Sequence, residues 1–383
     1  MRVTSFFTIH CTDVWVSHAC LALAEHVTGD GLEVDLVVPS AERRAVRPFV
    51  HSVVPWWLNR LAFRVDRMRP FLQRRAAQRF RRLLRDADAA WPWTGVPVPL
   101  FTEMRALGKP IVLERINCHR ATSRRILDEA RRRAGLVGPS QISEADTHEE
   151  QRKIDLADFV FAPSPAVARS LLDAGVAPAK ILRTSYGWSP RKLAPPPRTP
   201  VDRDPVFLFV GTLNLRKGIH LLLAAWARAQ VRGTLVVCGD VKPEVEALLA
   251  PHRGRSDVRF VGYSDDLPSL YRAADVFVFS SLEEGSPLVS YEALAFGLAP
   301  ILSPMGAGDV ARDGIEALVV DPYDQDGWVE AIRRVANDAD LRARLGRAAA
   351  LRAQEYTWDK VGSRRRALFR AALAGRVPAA AGT

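Results

Sequence analysis

The feature that most constrains this chain is a phrase repeated through its second half: a short apolar run, a turn signal, then a helical pattern. Val206–Val210, Gly233–Val237, Val258–Val261, Val276–Phe279 and Pro300–Ser303 all follow it. A run that is apolar at nearly every position is buried on both faces, the condition of a strand in a parallel sheet covered by helices. The first half has the same rhythm less cleanly. Strands are expected at Arg2–Ile9, Leu32–Val38, Ala87–Trp91, Pro110–Arg115 and Phe159–Pro163, and helices from about Val14 to Glu25 and over Trp57–Leu84 with an interruption at Pro70. Such alternation predicts an α/β fold of two doubly wound sheets. Ligands of such sheets bind beyond the carboxyl ends of the strands, and two domains of this kind enclose a cleft.

Between the halves, Trp188 to Pro205 holds six prolines, including Pro195-Pro196-Pro197, and reads as a semi-rigid connector unable to form a helix or inner strand. The expected division is therefore 1–187, a linker 188–205, 206–355, and a C-terminal helix 356–377 crossing back to the first domain. Pro378–Thr383 reads as a frayed tail. The length of 383 residues suits two full cores, and 48% hydrophobic with 25% charged residues argues against disorder. Cys11, Cys20, Cys118 and Cys238 are too scattered for a disulfide scaffold or zinc module and fit a reducing cytosol. No signal-peptide pattern and no apolar run of membrane-spanning length is present, so the expected location is cytoplasmic.

Charge is unevenly shared. The chain carries a formal +11, and residues 1–200 hold 31 Lys+Arg against 20 Asp+Glu, so the whole excess lies in the first half. It is densest between Arg60 and Arg85, with ten Arg and only Asp66 opposing them. Leu58, Leu61, Val65, Met68, Leu72, Ala76, Phe80 and Leu84 recur every three or four residues there, leaving the arginines on the other faces. Two readings stand: residues 57–85 lie on an anionic membrane surface, or the arginines are simply solvated. No recognition motif or aromatic-interleaved basic groove points to nucleic acid.

The chemistry concentrates in the second half. Strand Val206–Val210 runs into Gly211-Thr212-Leu213-Asn214-Leu215-Arg216-Lys217-Gly218, which places Arg216 and Lys217 where a strand end meets a helix start. Backbone amides, the helix dipole and two cations there suit a phosphate, and a solvated basic turn is the alternative. In Glu284-Gly285-Ser286-Pro287-Leu288-Val289-Ser290-Tyr291-Glu292, Ser286 is expected to be the N-cap and Pro287 the first helical residue, with the helix ending near Gly297. The amides of Leu288 and Val289 then form an anion site, flanked by Glu284 and Glu292. Carboxylates beside phosphate serve best as acceptors for neutral hydroxyls, so this pattern expects a sugar linked through a diphosphate to a nucleoside. A loop acid and an ordinary helix residue are the alternatives for Glu284 and Glu292. Asp265-Asp266 after Ser264 reads as a helix N-terminus, and no metal is assigned.

With its EALA-x-G continuation, Glu284-x7-Glu292 resembles the donor-site signature of family 4 glycosyltransferases of the GT-B fold, and GTLNLRKG resembles that family's phosphate-binding turn. VRFVGYSDDLPSLYRAADVFVFSS, ARDGIEALVVDPYD and YTWDKVGSRRRALF extend the likeness over about Val206–Ala371. The resemblance implies two Rossmann-like domains facing across a cleft and metal-independent, retaining transfer of a hexosyl group from a UDP- or GDP-linked sugar to a saccharide or lipid-linked acceptor, in polysaccharide or glycolipid synthesis. By it, Glu284 contacts the sugar, Glu292 the ribose, Arg216 and Lys217 the leaving diphosphate, and Gly262 and Tyr263 the base. Thr212 stands where the family often has Arg, and Ser286 where it often has Phe.

In the first half the resemblance rests on architecture and on ADFVFAPSPAVARSLLDAGVAPAKI. Thr8–Asp13 lacks the usual Gly-rich turn. The resemblance implies that His119 holds the donor sugar, and a structural histidine is the alternative. Glu114 and Arg115 are expected to mark an exposed strand end. A sugar-nucleotide epimerase, or a non-catalytic membrane-associated protein of the same fold, remain as alternative functions.

Overall fold

The computed structural model describes residues 1–58, 68–193 and 203–375. The chain forms two compact units. One contains Met1–Arg120, Glu144–Tyr186 and the chain from Trp358 on; the other contains Ala121–Ser143 and Gly187–Thr357. The sequence boundary at 187 assigned 121–143 to the first domain, whereas its contacts group it with the second unit.

Thirteen strands are described, β1 Arg2–Phe6, β2 Glu33–Ser40, β3 Val50–Val54, β4 Ala89–Pro92, β5 Val112–Glu114, β6 Phe159–Ala162, β7 Ile181–Arg183, β8 Val206–Val210, β9 Thr234–Cys238, β10 Val258–Gly262, β11 Val276–Phe279, β12 Ala299–Leu302 and β13 Leu318–Val319. In the first unit β3-β2-β1-β4 and β5-β6-β7 are parallel sheets, joined by bridges from Ala90 to Ile111 and from Trp93 to Glu114. The second unit is one parallel sheet ordered β10-β9-β8-β11-β12-β13. Both orders run outward from the first strand and then reverse, so each unit has a topological switch point beside its first strand.

The central strands earn their place by composition. β11 and β12 are buried along their whole length, and Trp226 packs edge-on against Phe207 of β8 with ring centres 4.9 Å apart. In the first unit the basic helix is described over Met68–Arg85, where Pro70 falls in its first turn and breaks nothing. The expected segment 59–67 lies outside the described residues, and Trp56–Leu58 is a single 3₁₀ turn. Leu72, Ala76, Phe80 and Leu84 are all buried, and Phe80 stacks on Phe6 of β1 at 5.2 Å. The helix's apolar stripe therefore belongs to the protein core.

Two further expectations are corrected. The connector is helical at Pro190–Leu193, because Pro190 suits a first helical position and Ser189 Oγ accepts from the Lys192 amide. Trp188 is buried and its indole donates to the Ala353 carbonyl, so this end belongs to the second unit's core. Most of the proline cluster, 194–202, lies outside the described residues, as does the tail from 376. Glu114 and Arg115 are not exposed: they are 0% and 2% accessible, each paired with an opposite charge. Helix Trp358–Leu373 supplies Glu114's partner, Arg365, and packs on helix Trp15–Val27, where Gly362 abuts the His26 carbonyl.

Candidate functional site

β8 and β11 are the strands that flank the second unit's switch point, and both candidate segments leave from their carboxyl ends. After β8, Asn214 caps a 3₁₀ turn, Leu215–Lys217, its side chain accepting from the Lys217 amide at 3.0 Å. Gly218 ends the turn at φ 64, where a Cβ would collide with the Ser280 carbonyl, so only glycine lets the two loops lie this close. Ser280 and Ser281 complete the suture: Ser280 Oγ donates to the Gly218 carbonyl (3.0 Å), Ser281 Oγ lies 3.2 Å from the Arg216 carbonyl, and the Leu282 amide donates to that same carbonyl (2.8 Å).

This close approach brings the predicted charges together. Lys217 Nζ donates to Glu284 Oε1, which also accepts from Ser281 Oγ at 2.6 Å. Arg216 donates to the Glu283 carbonyl at 3.0 Å and lies 3.5 Å from carboxylate oxygens of both Glu283 and Glu284. Burial pushes the Glu284 carboxyl up, but Lys217, Arg216 and the hydrogen bonds from Lys217 and Ser281 outweigh it and hold the pKa below the usual value. Glu284 is thus an ionised acceptor fixed against two cations. Lys217 also lies 4.9 Å above the Phe279 ring, which steadies its head without consuming a donor.

The helix that follows is Leu288–Ala295, and Pro287 occupies the cap position. Ser286 does not cap it: its hydroxyl is buried and pairs with the Tyr291 hydroxyl at 2.7 Å. A buried phenol needs a polar partner, and that demand prevails over capping. Leu288 and Val289 remain in the first turn, half-buried, with Gly285 buried before them. The helix stops at Phe296, followed by Gly297 at φ 66, as the sequence implies. Glu292 faces Tyr271, whose hydroxyl donates to Oε2 at 2.9 Å. Burial raises its pKa to about 7, against that hydrogen bond and the attraction of Lys192.

Gly262 closes β10 at φ 67, and its carbonyl accepts from the Gly239 amide at 2.8 Å, with exposed Tyr263 next in the chain. Gly211 follows β8 directly and its amide donates to the Cys238 carbonyl at 2.9 Å. Of the Asp pair, Asp266 is the N-cap of helix Leu267–Ala273, accepting from the Ser269 amide at 3.2 Å. Among the described residues no group of His, Cys, Asp and Glu is arranged to hold a metal ion. His119 belongs to the first unit, buried, with its amide donating to Ser170 Oγ at 2.8 Å and its Nε2 3.6 Å from Glu150. Burial lowers its pKa against the pull of Glu150. Sequence reasoning missed Ser281, Glu283, Asn214 and Tyr271. Asn214 alone had a local signal, an N-cap residue three before Lys217.

Two parallel doubly wound units, one with a cation-and-carboxylate site at its switch point, define the GT-B architecture, which this chain has. A sucrose-phosphate synthase from Thermosynechococcus elongatus superposes with a TM-score of 0.71 at 20% identity, covering 98% of this chain and 99% of that one. HepE from Anabaena superposes at 0.65 with 15% identity, covering 97% and 100%. Residues 192–352, which carry the site, match the family described as "Glycosyl transferases group 1". A D-inositol 3-phosphate glycosyltransferase from Salinispora tropica is 30% identical over 253 residues, covering 61% of this chain and 52% of the relative. The chain spans about half the length of the curated relatives it matches. No helix among the described residues is long and apolar enough to cross a membrane.

Proposed function

We propose that the chain is a glycosyltransferase that moves a hexosyl group, with retention and without a metal, from a nucleotide-diphosphate-sugar to a saccharide or lipid-linked acceptor. The observation that carries the reading is the Arg216-Lys217 turn locked against Glu283 and Glu284 at the switch point, directly before helix Leu288–Ala295. Lys217 and Arg216 face the diphosphate and offset the negative charge that grows as it leaves. The first-turn amides of Leu288 and Val289 add donors, Glu284 accepts from a sugar hydroxyl, and Glu292 accepts from the ribose diol. Gly262 and Tyr263 border the base. UDP is the first donor nucleotide to try, because HepE has been solved with UDP and with UDP-glucose. The inositol 3-phosphate in the relatives' name makes a polyol phosphate a further acceptor to include.

The test is calorimetric titration of UDP, GDP and the matching nucleosides. Lys217→Ala is expected to weaken diphosphate binding by about 10–100-fold, the worth of one charge-assisted hydrogen bond, and nucleoside binding hardly at all. Equal losses for both ligands would remove the phosphate role.

The basic helix supports a second, weaker site of contact, an anionic membrane surface. Its apolar stripe is used internally, which excludes burial of that stripe in lipid. Trp56, Trp57 and Phe71 are nonetheless exposed, Arg43 lies over the Trp56 ring and Arg75 over the Phe71 ring. Sedimentation is expected to show salt-sensitive binding to phosphatidylglycerol vesicles and none to phosphatidylcholine. Equal recovery on both, or no binding at low salt, would leave the arginines as solvated residues.

A further inference from the structure

One stretch of chain groups with the second unit although its neighbours in sequence on both sides group with the first. Helix Arg120–Arg133 enters it and Ser143 ends it. Two carboxylates stand between this helix and the Arg216-Lys217 turn, and each is gripped from both sides. Glu283 is 1% exposed; its Oε1 accepts from Ser123 Oγ at 3.0 Å, while its Oε2 lies 3.5 Å from the Arg216 guanidinium. Glu244 accepts from the Leu215 amide at 3.1 Å through Oε1 and from Arg131 at 3.3 Å through Oε2. Arg133 packs 4.2 Å above the Tyr323 ring and fixes the far end of the helix on the same unit.

We propose that Ser123 and Arg131 are positioning residues for the cationic turn, acting through Glu283 and Glu244. Arg216 has acids on two sides, so its direction depends on where those acids are held. Glu284 is held by Lys217 and Ser281, which belong to the site itself. Glu283 takes a hydrogen bond from Ser123, outside the site. A buried carboxylate that loses a donor seeks another, and Arg216 lies 3.5 Å away. Without Ser123, Glu283 draws Arg216 inward, away from an entering diphosphate. Without Arg131, Glu244 loses its second anchor and the Leu215 amide, first residue of the turn, opens more often. Neither is among the residues assigned to the donor. Their action on binding rests on the donor-site reading; their action on the turn does not.

The test therefore has two arms. In the first, hydrogen exchange is measured in the ligand-free protein for Ser123→Ala, Ser123→Thr and Arg131→Ala. Exchange at 214–217 is expected to rise about fivefold or more in the two alanine variants, to return toward wild type in Ser123→Thr, and to stay unchanged in Val206–Val210. In the second arm UDP and GDP are titrated; Ser123→Ala is expected to weaken the nucleotide that binds by about fivefold, and to add nothing further when combined with Glu283→Gln. Unchanged exchange at 214–217, a rise shared equally by Val206–Val210, or strict additivity of the double variant would overturn the proposal. If exchange rises locally but wild type binds neither nucleotide, the donor reading fails and the positioning role stands.

Discussion

Each unit buries a cation against a carboxylate, and the two pairs are built for different ends. In the first unit Arg365 and Glu114 are both 0% exposed at 2.7 Å, and the carboxylate also takes hydrogen bonds from Trp91 and Tyr186 while the guanidinium lies over the Phe161 and Tyr186 rings. Every direction is closed. In the second unit Lys217 is 11% and Glu284 7% exposed, at the open carboxyl edge of the sheet. The sheets have the same strand order up to the sixth strand, so topology does not separate these roles. Enclosure does: a pair sealed by rings fastens a helix, and one left ajar at the switch point can receive a ligand.

The largest expected effect follows from the sealed pair. Glu114→Ala strands a guanidinium with no access to water, and is expected to destabilise the first unit by about 3–5 kcal/mol in urea unfolding. Glu114→Ala combined with Arg365→Met is expected to recover most of that, since no charge remains to be satisfied. Removing one partner of the open pair costs less stability, because water and Ser281 remain available to Glu284. A loss below about 1 kcal/mol in Glu114→Ala, or no recovery in the double variant, would break the distinction between the two pairs.

The same contrast explains what could be read from sequence. Val206–Val210 and Val276–Phe279 were placed to the residue because strands buried on both faces carry uninterrupted apolar runs. β3, with every residue of Val50–Val54 only half-buried, gave no such run and went unnoticed, as did the two-residue β13. Arg216, Lys217, Glu284 and Glu292 were legible because a helix start after a strand confines charge within a few residues. Glu283 and Ser123 lie 160 positions apart, and no local pattern encodes their meeting. Glu114 and Arg115 misled for a related reason: charges in an apolar strand look exposed until partners from distant helices, Arg365 and Glu150, are known. Ser286 misled because its preference for a cap yielded to Tyr291's need for a partner.

Glu292 sharpens the comparison, because it is a third buried carboxylate in which a phenol takes the contact a cation makes elsewhere. Glu114 faces an arginine and Glu284 a lysine, whereas Glu292 has the Tyr271 hydroxyl and only the more distant attraction of Lys192. Burial raises its pKa from 4.5 to about 7; burial also raises Glu114 despite Arg365, whereas Lys217 and Arg216 together hold Glu284 down. A raised carboxyl pKa means the folded protein retains a proton there that the unfolded chain has lost between those values. Below about pH 7 the group is a neutral acid; above it, an anion able to accept from both hydroxyls of a ribose. Nucleoside affinity is thus expected to increase from pH 6 to pH 8, by at most about tenfold for a single ionisation centred near 7. Glu292→Gln, which cannot ionise, is expected to bind weakly at both values and to flatten the profile, whereas Lys217→Ala keeps the pH dependence because its lost contact lies at the phosphates. A wild-type profile that is flat from pH 6 to 8, or one that survives in Glu292→Gln, would show that this carboxylate does not hold the ribose and that enclosure without a cation has left it a structural acid.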